Sequence, residues 1–407
     1  MPLVSVVVPA YCSPTYLDEC LSSIEGQSFS NLEIIVVDDA SQDETPNVMR
    51  RHGLADPRVR PLFLEGNAGT LGARKAGVLA STGDYVLLVD QDDELEPCAV
   101  QNLVEFAGRH PADIYHFSAR VVAKGEAAEG ARSGMEGFLT PPVRSLEGRE
   151  ILRTQLAETG GFDWHVHHKM FRGDFARDCY ALATDERLVL SDDIYLSFIL
   201  CSRAHVYEAI PDSPWYVYHL GRGETYGRLL DLESYGRLAA ADGKALRLAR
   251  EFAEGASAPV RDDWGERLCD LCDRLAFHAM NEWMDSLPDE LKDRACETAL
   301  ECLPPDAVCG ELYRFVRDRS YALLQERDRG SDEARALERE ALHYLELAQA
   351  AESNPAFDAG NPRYREMREI ARRHLRECGL VSDEAAPGPR IGFVRRAWAA
   401  LRGMLCR

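Results

Sequence analysis

Three short runs near the N-terminus, residues 3–8 (LVSVVV), 32–37 (LEIIVV) and 85–89 (YVLLV), are almost wholly apolar where a half-exposed strand would alternate. A strand of that kind must be covered on both faces, as happens in parallel sheets flanked by helices. Helical periodicity fills the gaps. Ser13 caps one helix, with Pro14 at its first position and Leu17, Cys20, Leu21 and Ile24 in an i, i+3, i+4, i+7 stripe before Gly26. Residues 41–44 lead into a short helix closed by Gly53, residues 59–64 form a third strand, and residues 71–80 a helix rich in small residues. This alternation predicts an α/β fold, a Rossmann-like, mostly parallel sheet with helices on both faces.

At 407 residues the chain exceeds one compact core. Residues 97–109 read as a helix, 113–122 as a strand, 124–133 as a surface loop and 146–158 as a helix. The last strand-like pieces are 206–210 and 215–219. From about residue 228 the alternation stops and long helical patterns follow, 232–253, 264–284 and 312–324 among them. The expected organisation is an α/β domain over 1–225, a mainly α-helical domain over 226–380, and a linker with a tail over 381–407. In that tail Ile391, Val394, Trp398, Leu401 and Leu405 fall on one stripe, and Arg390, Arg395, Arg396, Arg402 and Arg407 form a dense basic cluster. A basic amphipathic helix suits contact with an anionic membrane surface, or docking on the acidic body of the protein.

The net charge of −21 argues against nucleic acid as a general partner. No run reaches the length of a membrane span and no signal-peptide pattern opens the chain, so the expected location is cytoplasmic, with membrane contact only through residues 390–407. Most of the twelve cysteines sit in amphipathic patterns as reduced apolar residues, and the lone pair Cys269 and Cys272 reads as core. Gly66, Gly69 and Gly72 miss the dinucleotide-binding spacing and follow the wrong strand.

Chemistry concentrates at residues 83–97, GDYVLLVDQDDELEP. Asp90, Asp92, Asp93 and Glu94 crowd onto the connection that follows a buried strand, and such carboxylates repel one another unless solvent, protons or a cation intervene. In an extended chain Asp90 and Asp92 face the same way, at the carboxyl edge where open α/β sheets bind their ligands. One hard divalent ion fits there.

Together with VSVVVPAY, IIVVDDAS, GNAGTLGARKAG, WHVHHKMFR and SDD, this stretch resembles glycosyltransferase family 2, the inverting enzymes of GT-A fold. Ala40 and Lys75 depart from the family's usual Gly and Asn, and Asp192 stands for its Glu. The resemblance implies transfer of a sugar, from a UDP-sugar or similar nucleotide-sugar donor, to a hydroxyl of a glycan or glycolipid in cell-surface polysaccharide or glycoconjugate synthesis. It implies Mg2+ or Mn2+ bound by Asp92 with Asp90, and a donor site of Pro9, Ala10, Tyr11, Asp39, Arg74 and Asp90. Asp193 is implied as the base with Asp192 as second choice, His219 or Arg222 as completing the metal or diphosphate contacts, and Trp164 and His168 as acceptor platforms. A sugar-nucleotide-forming nucleotidyltransferase, or a catalytically silent scaffold of the same fold, are the competing expectations.

Overall fold

The structure, a computed structural model, describes residues 1–157, 163–222, 229–326 and 330–382. It divides into two compact units, Met1–Arg228 with Lys244–Leu271, and Leu229–Gly243 with Cys272–Arg407. The residues of the expected tail helix lie outside the described ones.

The first unit opens with β1 (Val4–Ala10), α1 (Pro14–Glu25), β2 (Leu32–Asp38), α2 (Thr45–Ala55), β3 (Val59–Phe63), α3 (Gly69–Ala80) and β4 (Tyr85–Leu88). It continues with β5 (Glu94–Leu95), α4 (Ala99–Ala107), β6 (Ile114–Ala123), α5 (Glu126–Phe138), β7 (Ser145–Glu147) and α6 (Arg149–Ala157). Then come β8 (Lys169–Arg172), α7 (Gly173–Leu182), α8 (Asp192–Arg203) and β9 (Val206–Leu220). The strands form one sheet in the order β3-β2-β1-β4-β8-β6-β9-β5, with β7 beside β9. Pairing is parallel from β3 through β4 and again between β6 and β9, while β8 runs antiparallel to both its neighbours. The parallel strands therefore end at one carboxyl edge, and α1, α3 and the acidic loop after β4 start from it.

The apolar runs are buried from both sides, as their lack of alternation requires. Val6 and Val8 of β1 pack with Leu17, Leu21 and Ile24 of α1. Val7 faces the other layer, where a Cβ added to Gly77 of α3 would stand only 2.4 Å from Val7 Cγ1. The expected α/β sheet covered on both faces is thus present.

Two local expectations need correction. Residues 124–133, read as a surface loop, enter helix α5, whose glycines and charges mask a stripe. Ala128 is buried in the core, with Ala131, Met135 and Phe138 packed against it. The pieces 206–210 and 215–219 are one strand, β9, carried across Pro211 and Pro214 by register shifts against Phe117 and Ser118 of β6.

The second unit is helical, built from α11 (Lys292–Cys302), α12 (Pro305–Gln325), α13 (Asp332–Glu352) and α14 (Pro362–Glu377), together with parts of two helices shared with the first unit, Leu232–Glu254 (α9) and Trp264–Asp285 (α10). Trp283 stacks on Phe315 at 5.6 Å between centroids and donates its indole N–H to the Lys292 carbonyl, 2.7 Å away. Glu311 is wholly buried and is balanced by Arg314 and Arg363. Among the described residues no helix is long and apolar enough to cross a membrane.

The close approach of α3 to β1 carries a testable consequence. Gly77→Ala forces overpacking and is expected to cost about 1–3 kcal/mol. Gly134→Ala, on α5 with open space around it, removes backbone freedom from the unfolded chain and is expected to stabilise by roughly 0.5–1 kcal/mol. Chemical denaturation of the two variants checks the opposite signs.

Candidate active site

The acidic loop leaves β4 at the carboxyl edge, where the Val89 amide makes a last sheet-like bond to the Val7 carbonyl (3.1 Å). Its shape is set from β9. Tyr216 donates its hydroxyl to Asp93 Oδ2 (2.8 Å) and accepts from the Asp90 amide (3.2 Å), while the His219 amide donates to Asp93 Oδ1 (2.8 Å). Burial, reinforced by Asp92 and Asp90, lifts the Asp93 carboxyl well above the usual range. Asp93 is therefore the anchor that leaves Asp90 and Asp92 at the open side.

Asp92 is half-buried, and burial followed by the neighbouring Asp90 pushes its pKa up to about 6. Among the described residues only its own backbone amide donates to its carboxylate. A desolvated anion beside a second anion, both offering oxygen, is a donor set that fits Mg2+ or Mn2+. His219 Nε2 pairs with Glu94 (2.7 Å), and burial together with Arg222 lowers its pKa. Arg222 pairs with Glu19 (2.7 Å) and lies over the Tyr16 ring.

Arg74 of α3 is almost fully buried and joins the loop to α8. Its Nη2 donates to Asp90 Oδ1 (2.7 Å), and its Nη1 to Asp192 Oδ2 (2.9 Å) and Asp193 Oδ1 (2.6 Å). Burial opposes the guanidinium charge, but Asp193, Asp90 and Asp192 outweigh it. One cation thus faces three carboxylates. Burial, aided by Asp193 and Asp90 against the pull of Arg74, holds Asp192 at a pKa of about 7. The Asp193 side chain is 20% exposed against 8% for Asp192, so Asp193 is the one that reaches outward. Leu190 and Ser191 deliver the pair in left-handed conformation (φ +66° and +54°), costing non-glycine residues about 1–2 kcal/mol each.

At the other end, Pro9 and Ala10 close β1 and Tyr11 is half exposed. Gln91 clasps the Tyr11 backbone, accepting from its N–H (2.8 Å) and donating to its carbonyl (3.2 Å). Asp39 accepts from the Ala68 and Gly69 amides at the start of α3 (2.6 and 2.9 Å). Two of its lone-pair directions are therefore spent on the fold. Ala40 beside it has φ +61°, the conformation that a Gly takes without strain.

Proximity thus gathers Asp90, Arg74, Asp192 and Asp193 directly and seats Asp92 and His219 on the same loop system. Trp164 is half-buried, edge-on to Phe138, and its carbonyl accepts from Ser197 of α8. His168 needs correction as an acceptor platform: it is completely buried, wedged among His116, His167 and Asp163, and offers no face to a sugar. Gln91 and Tyr216 escaped the sequence reading. Gln91 occupies the middle of the D-x-D triplet, and Tyr216 alternates with Tyr218 at a strand period that marks neighbours on one face.

Residues 5–177 match the family model described as Glycosyl transferase family 2. The chain is 36% identical over 112 residues to glycosyltransferase GlyG of Streptococcus pneumoniae, spanning 28% of this chain and 37% of GlyG. It is 29% identical over 256 residues to the succinoglycan biosynthesis protein ExoO of Rhizobium meliloti, spanning 61% of this chain and 69% of ExoO. Several curated relatives are matched over less than half of their own length. Residues 1–349 of TarS from S. aureus superpose with a TM-score of 0.55 at 18% identity, over 88% of this chain and 98% of that one, which establishes a shared fold. Over residues 5–177 the chain is therefore similar to glycosyltransferase family 2, and its sheet is of the GT-A kind.

Proposed function

We propose that the protein is an inverting glycosyltransferase that moves a sugar from a nucleotide-sugar donor to a hydroxyl of a glycan or glycolipid during cell-surface polysaccharide synthesis. The observation that carries this is the Arg74 bridge, which ties Asp90 of the acidic loop to Asp192 and Asp193 across the carboxyl edge of the sheet. Donor-side and acceptor-side carboxylates are thereby held at one fixed separation, the geometry that a direct displacement needs. ExoO, named for succinoglycan biosynthesis, supports the polysaccharide context. TarS, of like fold, has been solved with UDP-GlcNAc, so a UDP-sugar is the first donor to test.

In this mechanism Asp92, with Asp90, holds Mg2+ or Mn2+, which supplies Lewis-acid neutralisation of the charge that grows on the departing diphosphate. Pro9, Ala10 and Tyr11 border the base, and Asp39 accepts a hydrogen bond from it. Asp193 removes the proton of the acceptor hydroxyl from the face opposite the leaving group, inverting the anomeric carbon. Arg74, which donates to both carboxylates, keeps Asp192 and Asp193 oriented. Residues 1–225 form the catalytic domain, 226–380 the helical domain. Trp164 borders the acceptor, and residues 390–407 touch the inner membrane surface.

Incubation with a panel of UDP- and GDP-sugars and Mn2+ is expected to release nucleoside diphosphate with an acceptor extract. Asp92→Ala and EDTA abolish release, and pyrophosphate as the product would refute the transferase. Asp193→Asn is expected to lower kcat about 10²–10⁴-fold with donor affinity unchanged, measured by steady-state kinetics and calorimetry. Equal losses in kcat and donor binding would remove it from the base role.

Proton linkage gives a second test. The folded state keeps the Asp192 proton up to about pH 7, far above its value of 3.8 in an unperturbed side chain. Below about pH 4 the contribution to stability is complete, and it is lost as pH rises through about 7. The unfolding midpoint is expected to fall between about pH 5 and about pH 8 while turnover rises, and Asp192→Asn flattens the stability trend.

A further inference from the structure

A second cluster of donor atoms lies inside the first unit. His116 Nε2 and His168 Nε2 are 2.9 Å apart, and Asp163 Oδ2 stands 3.0 Å from the first and 2.5 Å from the second. All three side chains are almost completely buried. Hydrogen on both nitrogens would crowd two protons towards one oxygen, hydrogen on neither would set two lone pairs against a carboxylate, and hydrogen on one serves Asp163 but leaves the other ring's lone pair facing it. A cation at the centre satisfies all three at once. Three ligands of a tetrahedral ion bound at roughly 2.0–2.1 Å stand about 3.3–3.4 Å apart, so ion entry spreads these donor atoms by about 0.4–0.9 Å.

The surroundings are those of a ligand set with its outer shell in place. His116 Nδ1 meets the Tyr207 hydroxyl at 2.5 Å, and His168 Nδ1 meets His167 Nδ1 at 2.7 Å, so each ring turns its Nε2 inward. The other oxygen of Asp163 accepts from the His165 amide (3.0 Å) and ring (2.7 Å). His168 holds φ +44°, a strained backbone kept where it aims the ring at the cluster. The Lys169 ammonium lies 3.5 Å from Asp163 Oδ2 but donates to the carbonyls of Asp163 and His165. It weakens the site without filling it.

We propose that His116, Asp163 and His168 bind a structural divalent transition-metal ion, Zn2+ foremost, separate from the ion of the acidic loop. Two imidazoles and one carboxylate select a late transition metal over Mg2+, which prefers an all-oxygen shell. The ion fastens the 163–168 segment to β6. His167 of that segment stacks on Tyr216 (4.9 Å, 18°), the residue that shapes the acidic loop.

The test uses the full chain purified without chelator. Elemental analysis is expected to find about one equivalent of Zn2+, retained in Asp92→Ala and reduced at least tenfold in His116→Ala or Asp163→Asn. After stripping, Co2+ restores ligand-field absorption, and added Zn2+ raises the unfolding midpoint. Folded wild-type protein that holds no metal, shows no Co2+ spectrum and gains no stability from Zn2+ would overturn the proposal. So would loss of the single equivalent in Asp92→Ala. If the ligand variants do not fold, the wild-type spectrum and midpoint decide alone.

Discussion

A single buried guanidinium holds this site together. Arg74 takes three carboxylates from two parts of the chain that are more than a hundred residues apart in sequence. Burying charge is expensive, and breaking such a cluster by removing one member costs far more than never having built it. The arrangement is therefore an unlikely accident of packing and a rigid ruler between the β4 loop and α8. Burial first, and the neighbouring negative charge second, raises Asp192 and Asp92 above the ordinary carboxylate range.

Most of the α/β architecture was legible because it rests on local signals. Apolar runs without alternation, Ser13 and Pro14 at a helix start, and carboxylates after β4 each need only a few neighbouring residues to be read. What escaped depends on contacts distant in sequence. Helix α5 hides behind three glycines and several charges, and only the packing of Ala128, Met135 and Phe138 reveals its inner face. His168 looked like a surface aromatic in a basic stretch, yet its burial follows from partners on β6 and before β8 that no local pattern announces. The D-x-D carboxylates were visible, whereas the residue that shapes them, Tyr216, lies 126 positions beyond Asp90.

Strain is concentrated where the chemistry is. Cys12, Ala40, His168, Leu190 and Ser191 are the described non-glycine residues with positive φ, and each follows a strand or precedes a functional segment. Ordinary loops avoid this conformation unless the surrounding structure compensates for it. Here the compensation is visible: Ser41 Oγ accepts from the Cys12 amide (2.9 Å), and Asp38 accepts from the Ser41 amide (3.1 Å). The ends of β1 and β2 are thus stitched to each other beside Tyr11 and Asp39.

Tyr216 has one ring and one hydroxyl, and both are occupied. The hydroxyl sets the backbone of Asp90 and the carboxylate of Asp93, while the ring supports His167 from the opposite segment. Any shift of the 163–168 segment that moves His167 therefore takes support from the Tyr216 ring and unseats the acidic loop from a distance.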